Sequence, residues 1–338
     1  MIAAAEPRAD RRAQRLMRVD VARGTLADGR VASLSEHARP GDVWVLNDAA
    51  TLPASLAGRA GGRSVELRLA GERADGSWRA VLFGEGSWRD DTDARPAPPV
   101  LAPGETIDLG GALAARVIEV DDRSPRLLTV RFEPGGDAFW RALYALGRPV
   151  QYSYVGRPLR LSEVQTGFAG RPWAVELPSA GRPLDAGLLL QLRRRGAEVT
   201  SLTHAAGLSA TGDPDLDARL PLPERYDVPE RTADAIRRAL AEGRRVVAVG
   251  TSVTRALEGA FALHGEVPAG PGETGLVIGP RTPLRVVDAL LTGAHDPQSS
   301  HYQLLRAFAP DTLLARAVER STALGYLGHE LGDSWLIA

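Results

Sequence analysis

The chain has 338 residues, enough for two domains or for one large domain carrying an insertion. It contains no cysteine, which excludes a thiol nucleophile, a disulfide framework, a cysteine zinc site and a cysteine-ligated iron–sulfur cluster. A formal net charge of −1 gives no basic face of the kind nucleic-acid binders usually show, and no apolar run is long enough to cross a bilayer.

Residues 1–18 form an arm rich in Ala and Arg, with Arg8, Arg11, Arg12, Arg15 and Arg18. It lacks the apolar stretch of a secretory signal, and Glu6 and Asp10 argue against a transit peptide. The default location is therefore cytoplasmic. These arginines, with Arg193, Arg194 and Arg195, are expected on solvated helix faces rather than on phosphates. A turn at 27–30 and a buried strand from Val43 to Leu46 follow. From about 60 to 132 the pattern becomes short alternating segments: SVELRLA (64–70), SWRAVLF (77–83), ALAARVIEV (112–120) and RLLTVRF (126–132). Gly and Pro punctuate them, and regular spacing of short strands predicts a small antiparallel barrel.

Residues 135–147 read as a helix. Beyond about 170, strands and helices alternate: AVEL (174–177), a helix at 185–195, EVTSLT (198–203), and a helix at 230–242 between Pro229 and Gly243. The expected architecture is an α/β main domain, residues 1–59 and 133–338, with a small antiparallel β-barrel domain inserted at 60–132. GPGETG (270–275) matches G-x-G-x-x-G literally, but it precedes an expected strand at 276–278 instead of linking a strand to a helix. The dinucleotide reading is rejected on that ground.

The stretch VVAVGTSVTRALE (246–258) is the most informative. A buried strand ends at Gly250, two hydroxyls follow at Thr251 and Ser252, and a helix carries Arg255 and Glu258. Such a strand end offers N–H groups and hydroxyls to a nucleotide-like ligand. An ordinary strand–turn–helix unit with Ser252 as N-cap fits the same residues.

This stretch resembles the signature of the S-adenosylmethionine:tRNA ribosyltransferase-isomerase family of queuosine biosynthesis. Further matches run in the family's order: PGDVWVLNDAATLPASLAG (40–58), VQTGFAG (164–170), ELPSAG (176–181), RVVDALLTGAHDPQSS (285–300) and GYLGHELGDSWLI (325–337). The resemblance implies a small β-barrel beside a larger α/β domain. It also implies a metal-free reaction in which S-adenosylmethionine, as substrate, donates its ribosyl unit to a deazaguanine base in tRNA. By the same resemblance Gly250, Thr251, Ser252, Arg255, Glu258, Asp288, Asn47 and Asp48 are expected around S-adenosylmethionine, with Arg255 on the methionine carboxylate, Glu258 paired with Arg255 and Asp288 on a ribose diol. His295, Asp333 and Thr166 are the expected catalytic residues, His295 as the proton-transfer group.

The departures from the family pattern are as specific. Family histidines are replaced by Pro183, Arg219 and Leu222, whereas His204, Gly207 and Glu224 are kept. Gly293-Ala294, Gln298 and Ala50 stand where the family has Asn-Phe, Lys and Arg, and His329 stands at an aromatic position. These losses, with the near-neutral charge, lead to the expectation of an altered acceptor: a small molecule in preference to tRNA, with poor use of tRNA. The alternatives are an orthodox tRNA-modifying enzyme and a non-catalytic nucleoside-binding relative.

Overall fold

The computed structural model describes residues 1–297 and 299–338; the expectation for Gln298 lies outside them. Among the described residues two large sheet structures organise the chain: a nine-stranded sheet and a closed six-stranded barrel.

The sheet is built on strands buried from both sides. Its order is Gly270–Thr274, Glu224–Val228, Glu198–His204, Val43–Asn47, Val246–Val249, Ala289–Gly293, Ser334–Ile337, Arg15–Asp20, Thr25–Arg30. The central four, from Glu198–His204 to Ala289–Gly293, are mutually parallel. Side chains alternate between the faces. Val43, Val45, Val246, Ala248 and Leu290 join a core with the helices Glu230–Ala241, Thr251–His264 and Asp311–Ala323. Trp44, Leu46, Val247, Val249 and Leu291 face a second core with the helix Ala186–Arg194. Near-continuous apolar runs are what a doubly covered parallel sheet requires.

The segment GPGET is itself a strand, Gly270–Thr274, antiparallel to Glu224–Val228, and the expected strand at 276–278 is absent. The reason is steric. A Cβ on Gly272 would sit 2.4 Å from the Tyr226 ring, so only glycine lets that ring lie against the strand. The glycines serve strand pairing, not phosphate binding.

All neighbouring strands of the barrel are antiparallel, in the order Ala114–Val120, Leu127–Glu133, Trp78–Phe83, Arg63–Glu72, Ser55–Ala60, Thr106–Asp108. Its strands span 55–133, and the helix Gly136–Leu146 belongs to the same core. Phe139 stacks on Phe132 at 4.6 Å between ring centroids and meets Trp78 at 5.7 Å. The barrel strands and their packing helix thus run beyond the 60–132 read from alternation, from Ser55 to Leu146. The chain returns through a bridge between Ser55 and Arg148, and Pro172–Ala174 pairs with Ala50–Thr51.

The arginine arm is not a helix face. Arg12 pairs with Asp185 at 2.6 Å, Arg15 donates to the Leu324 carbonyl, and Arg8 reaches Asp333 at 3.1 Å. The arm is pinned across the sheet's edge by these contacts.

Leu290 is fully buried in the middle of the sheet. Leu290→Ala is expected to cost about 2–5 kcal/mol of unfolding free energy in urea titration; a loss below about 1 kcal/mol would contradict the packing described.

Candidate functional site

Ligands of open α/β sheets bind outside the carboxyl ends of the strands, where the strand order reverses. Here Val43–Asn47 comes first in the chain among the four central parallel strands, and its later neighbours Glu198–His204 and Val246–Val249 flank it on both sides. At this edge Asn47, His204, Gly250 and Gly293 end or follow adjacent strands.

Asn47 stitches the edge together. Its Oδ1 accepts from the N–H groups of His204 (2.9 Å) and Ala49 (3.0 Å). Its Nδ2 donates to the His204 carbonyl (3.0 Å) and lies 3.3 Å from Ser252 Oγ. Asp48 accepts the hydroxyls of Ser201 (2.7 Å) and Thr203 (2.6 Å) on the neighbouring strand.

Gly250, not Ser252, is the N-cap of the helix Thr251–His264. Its φ of 104° favours glycine, and no side chain caps the helix. The first-turn N–H groups are therefore offered at the strand edge, which suits an anionic or strongly polar ligand group. Thr251 and Ser252 are half-buried there.

One turn on, Arg255 is buried and pairs with Glu224. Its Nε donates to the Leu276 carbonyl at 3.3 Å, and its Nη2 has no protein partner. Glu224 also accepts the Gly207 N–H at 2.7 Å, and His204 Nε2 lies 3.2 Å from it without hydrogen-bond geometry. His204 is fully buried, and burial pushes its pKa down to about 4, so the imidazole is neutral near pH 7. Thr166 Oγ1 is another buried atom without a partner. It belongs to the same edge: the Thr166 methyl lies against Gly181, and Ala180 lies against Gly250. Buried polar groups are normally satisfied, so these orphans are candidates for contact with a polar ligand.

His295 follows the strand Ala289–Gly293. Its Nε2 is 2.8 Å from Thr292 Oγ1, and its ring stacks on His301 at 5.0 Å with an interplanar angle of 9°. Burial first, and then the neighbouring His301 and His329, hold its pKa well below that of a free histidine. Arg255 and Glu224 act electrostatically on His301, which ties the histidine pair to the Arg255–Glu224 pair.

Three expected site residues have other duties. Glu258 does not meet Arg255; its carboxylate accepts the N–H groups of Arg285, Val286 and Val287, each at 2.9 Å. Asp288 accepts the Val246 N–H at 2.8 Å, at the amino end of the strand whose carboxyl end is Gly250, so it lies on the wrong edge for a ribose. Asp333 is fully buried and accepts from Arg15 N (2.8 Å), Leu327 N (2.8 Å) and the Arg8 guanidinium. A carboxylate so occupied ties the N-terminal arm to the C-terminal strand. His301 went unnoticed in the sequence, although four of the six histidines are His204, His295, His301 and His329. Among the described residues no group of three or more His, Asp or Glu side chains is arranged to hold a metal ion.

A family model described as "queuosine biosynthesis protein" matches residues 1–337. A Thermus thermophilus protein named S-adenosylmethionine:tRNA ribosyltransferase-isomerase is 39% identical over 323 residues, covering 92% of this chain and 88% of the relative. A Syntrophotalea carbinolica protein of the same name is 35% identical over 342 residues, covering 99% and 95%. The crystal structure of S-adenosylmethionine tRNA ribosyltransferase from Thermotoga maritima superposes with a TM-score of 0.53 at 24% identity, over 100% of this chain and 96% of that one, and supports the α/β-plus-barrel fold. The relatives' shared name specifies tRNA, which overturns the expectation that a small-molecule acceptor is favoured over tRNA. The structure gives a reason. Arg219 forms a two-pronged ion pair with Asp121, and Leu222 packs on the barrel core, so the substitutions at these positions do not empty the strand-edge site.

His204 is neutral when folded and ionises at about 4, below the unfolded value near 6.5. Its contribution is full above pH 6.5 and is lost as pH falls through 4. The melting temperature of His204→Asn is expected to drop less than that of the wild type between pH 7 and pH 4; equal drops would contradict the assigned burial.

Proposed function

Because the chain belongs to the queuosine biosynthesis protein family, we propose that it is the tRNA-acting enzyme its relatives are named for, a transferase and isomerase that moves the ribosyl part of S-adenosylmethionine onto a deazaguanine base and rearranges it toward epoxyqueuosine. A tRNA acceptor puts this work in the cytoplasm. The observation that supports the reading is the set of buried, unpartnered donors on Arg255, Thr166 and His204 beside an uncapped helix start.

When bound, S-adenosylmethionine supplies a sulfonium that acidifies its 5′ carbon and makes methionine a leaving group. The chain's own task is then positioning and proton handling. Arg255, anchored by Glu224, presents Nη2 to a carboxylate. The helix start at Thr251 and Ser252 offers N–H groups and hydroxyls to the ribose. His295 is kept neutral by burial, and Thr292 occupies Nε2, which leaves Nδ1 to exchange a proton with the substrate. His204, neutral and turned toward Glu224, offers a donor or acceptor inside the site without adding charge.

The test is incubation of the protein with S-adenosylmethionine and deazaguanine-bearing tRNA, followed by mass spectrometry. Release of adenine and methionine with a heavier tRNA nucleoside is expected. Methylthioadenosine alone, or no tRNA product, would sink the reading.

Two variants separate binding from chemistry. Arg255→Leu is expected to weaken S-adenosylmethionine binding at least about tenfold by calorimetry, since a charged hydrogen bond contributes about 1.5–3 kcal/mol. His295→Ala is expected to abolish turnover while leaving that affinity within about tenfold, as a proton-transfer group acts mainly in the transition state. Equal loss of binding and turnover in His295→Ala would demote His295 to a positioning role.

A further inference from the structure

A ladder of three rings runs along one side of the site. Tyr152 and Tyr154 stack at 6.1 Å with an interplanar angle of 20°, and the His329 ring lies 4.5 Å from that of Tyr154 at 36°. The two tyrosines cannot swing freely. Tyr152 donates its hydroxyl to Glu176 and Tyr154 donates to Glu330. Burial pushes the pKa of both carboxyl groups up, which limits the negative charge the ladder presents.

His329 ends the ladder in solvent. It is exposed, and its backbone has a φ of 65°, in the left-handed region. A non-glycine residue held there is uncommon, and such strain clusters at functional sites. Its place is next to the chemistry. The carbonyl of His329 and the ring of His295 both lie under 4 Å from where a side chain on Gly293 would begin. An exposed aromatic face, backed by two fixed rings and adjoining a catalytic strand edge, is suited to stacking a base from single-stranded RNA.

We propose that His329, backed by Tyr154 and Tyr152, is the stacking platform for an unpaired base of the RNA substrate. This deepens the reading of the chain as a tRNA-acting enzyme and rests on it. The adenine of S-adenosylmethionine has the same stacking chemistry, but the platform lies at the exposed rim, whereas the orphaned donors lie buried at the strand ends.

The test is steady-state kinetics with deazaguanine-bearing tRNA and S-adenosylmethionine for the wild type, His329→Asn and His329→Phe. Asn accepts left-handed backbone without a ring, so thermal melting of His329→Asn is expected to match the wild type. His329→Asn should raise the KM for tRNA about tenfold, the size of one lost base stack, with the KM for S-adenosylmethionine unchanged. His329→Phe should restore the wild-type KM. An unchanged tRNA KM in His329→Asn, or a rise in the KM for S-adenosylmethionine instead, would overturn the platform. Failure of the underlying reading is distinct: the wild type itself would then give no tRNA product.

Discussion

The buried carboxylate of Glu224 is the contact on which the site depends. It stands at the start of an antiparallel strand added to the parallel core, and it takes in Arg255 from the central helix, the Gly207 N–H from the loop beyond His204, and the His204 ring as neighbour. A carboxylate and a guanidinium buried together must satisfy one another, and removing either leaves a charge that costs about 3–5 kcal/mol. Strand, loop and helix are therefore locked into one arrangement. The lock consumes one arm of Arg255 and leaves the other without a partner. That is how an interaction required for folding also produces an unsatisfied donor for a ligand.

The barrel meets the sheet at this same place. The loop at Gly207 lies against the Ala70 carbonyl, and Glu72 pairs with Arg225 at 2.8 Å. Inside the barrel Glu66 bonds both Arg68 and Arg95, and Arg68 lies over the Phe83 ring and near Tyr152. Arg68 thus links the barrel interior to Tyr152, the inner ring of the ladder, whose hydroxyl donates to Glu176.

Much of this was legible in the sequence because it follows from period and chain order. The apolar runs at Val43 and Val246 announced buried strands of an α/β sheet, and alternation between 64 and 132 announced the barrel strands. Gly250, Arg255 and His295 were singled out from local pattern and family resemblance, and the fold places all three at or just beyond the carboxyl ends of the central strands. What escaped was direction and partnership. Nothing local shows that Asp288 precedes its strand at the amino edge while His295 follows it at the carboxyl edge. The spacing of Arg255 and Glu258 on one helix gave no sign that Glu258 turns to three backbone amides and Arg255 to a residue 31 positions away. His301 joins His295 only because a short helix folds back on the strand end. The inference of an altered acceptor failed for a related reason: residue identity was weighed without knowing that Arg219 and Leu222 face the barrel.

The central claim is that S-adenosylmethionine binds at the carboxyl edge, between the start of the central helix and the Glu224–Arg255 pair. Hydrogen–deuterium exchange with and without S-adenosylmethionine tests it most directly. The account predicts slower exchange at the amides of Thr251 to Val253 and of residues 204–207, with no change around Val246 and Asp288 at the opposite edge. Protection confined to that opposite edge or to the barrel strands, with none at Thr251 to Val253, would contradict it.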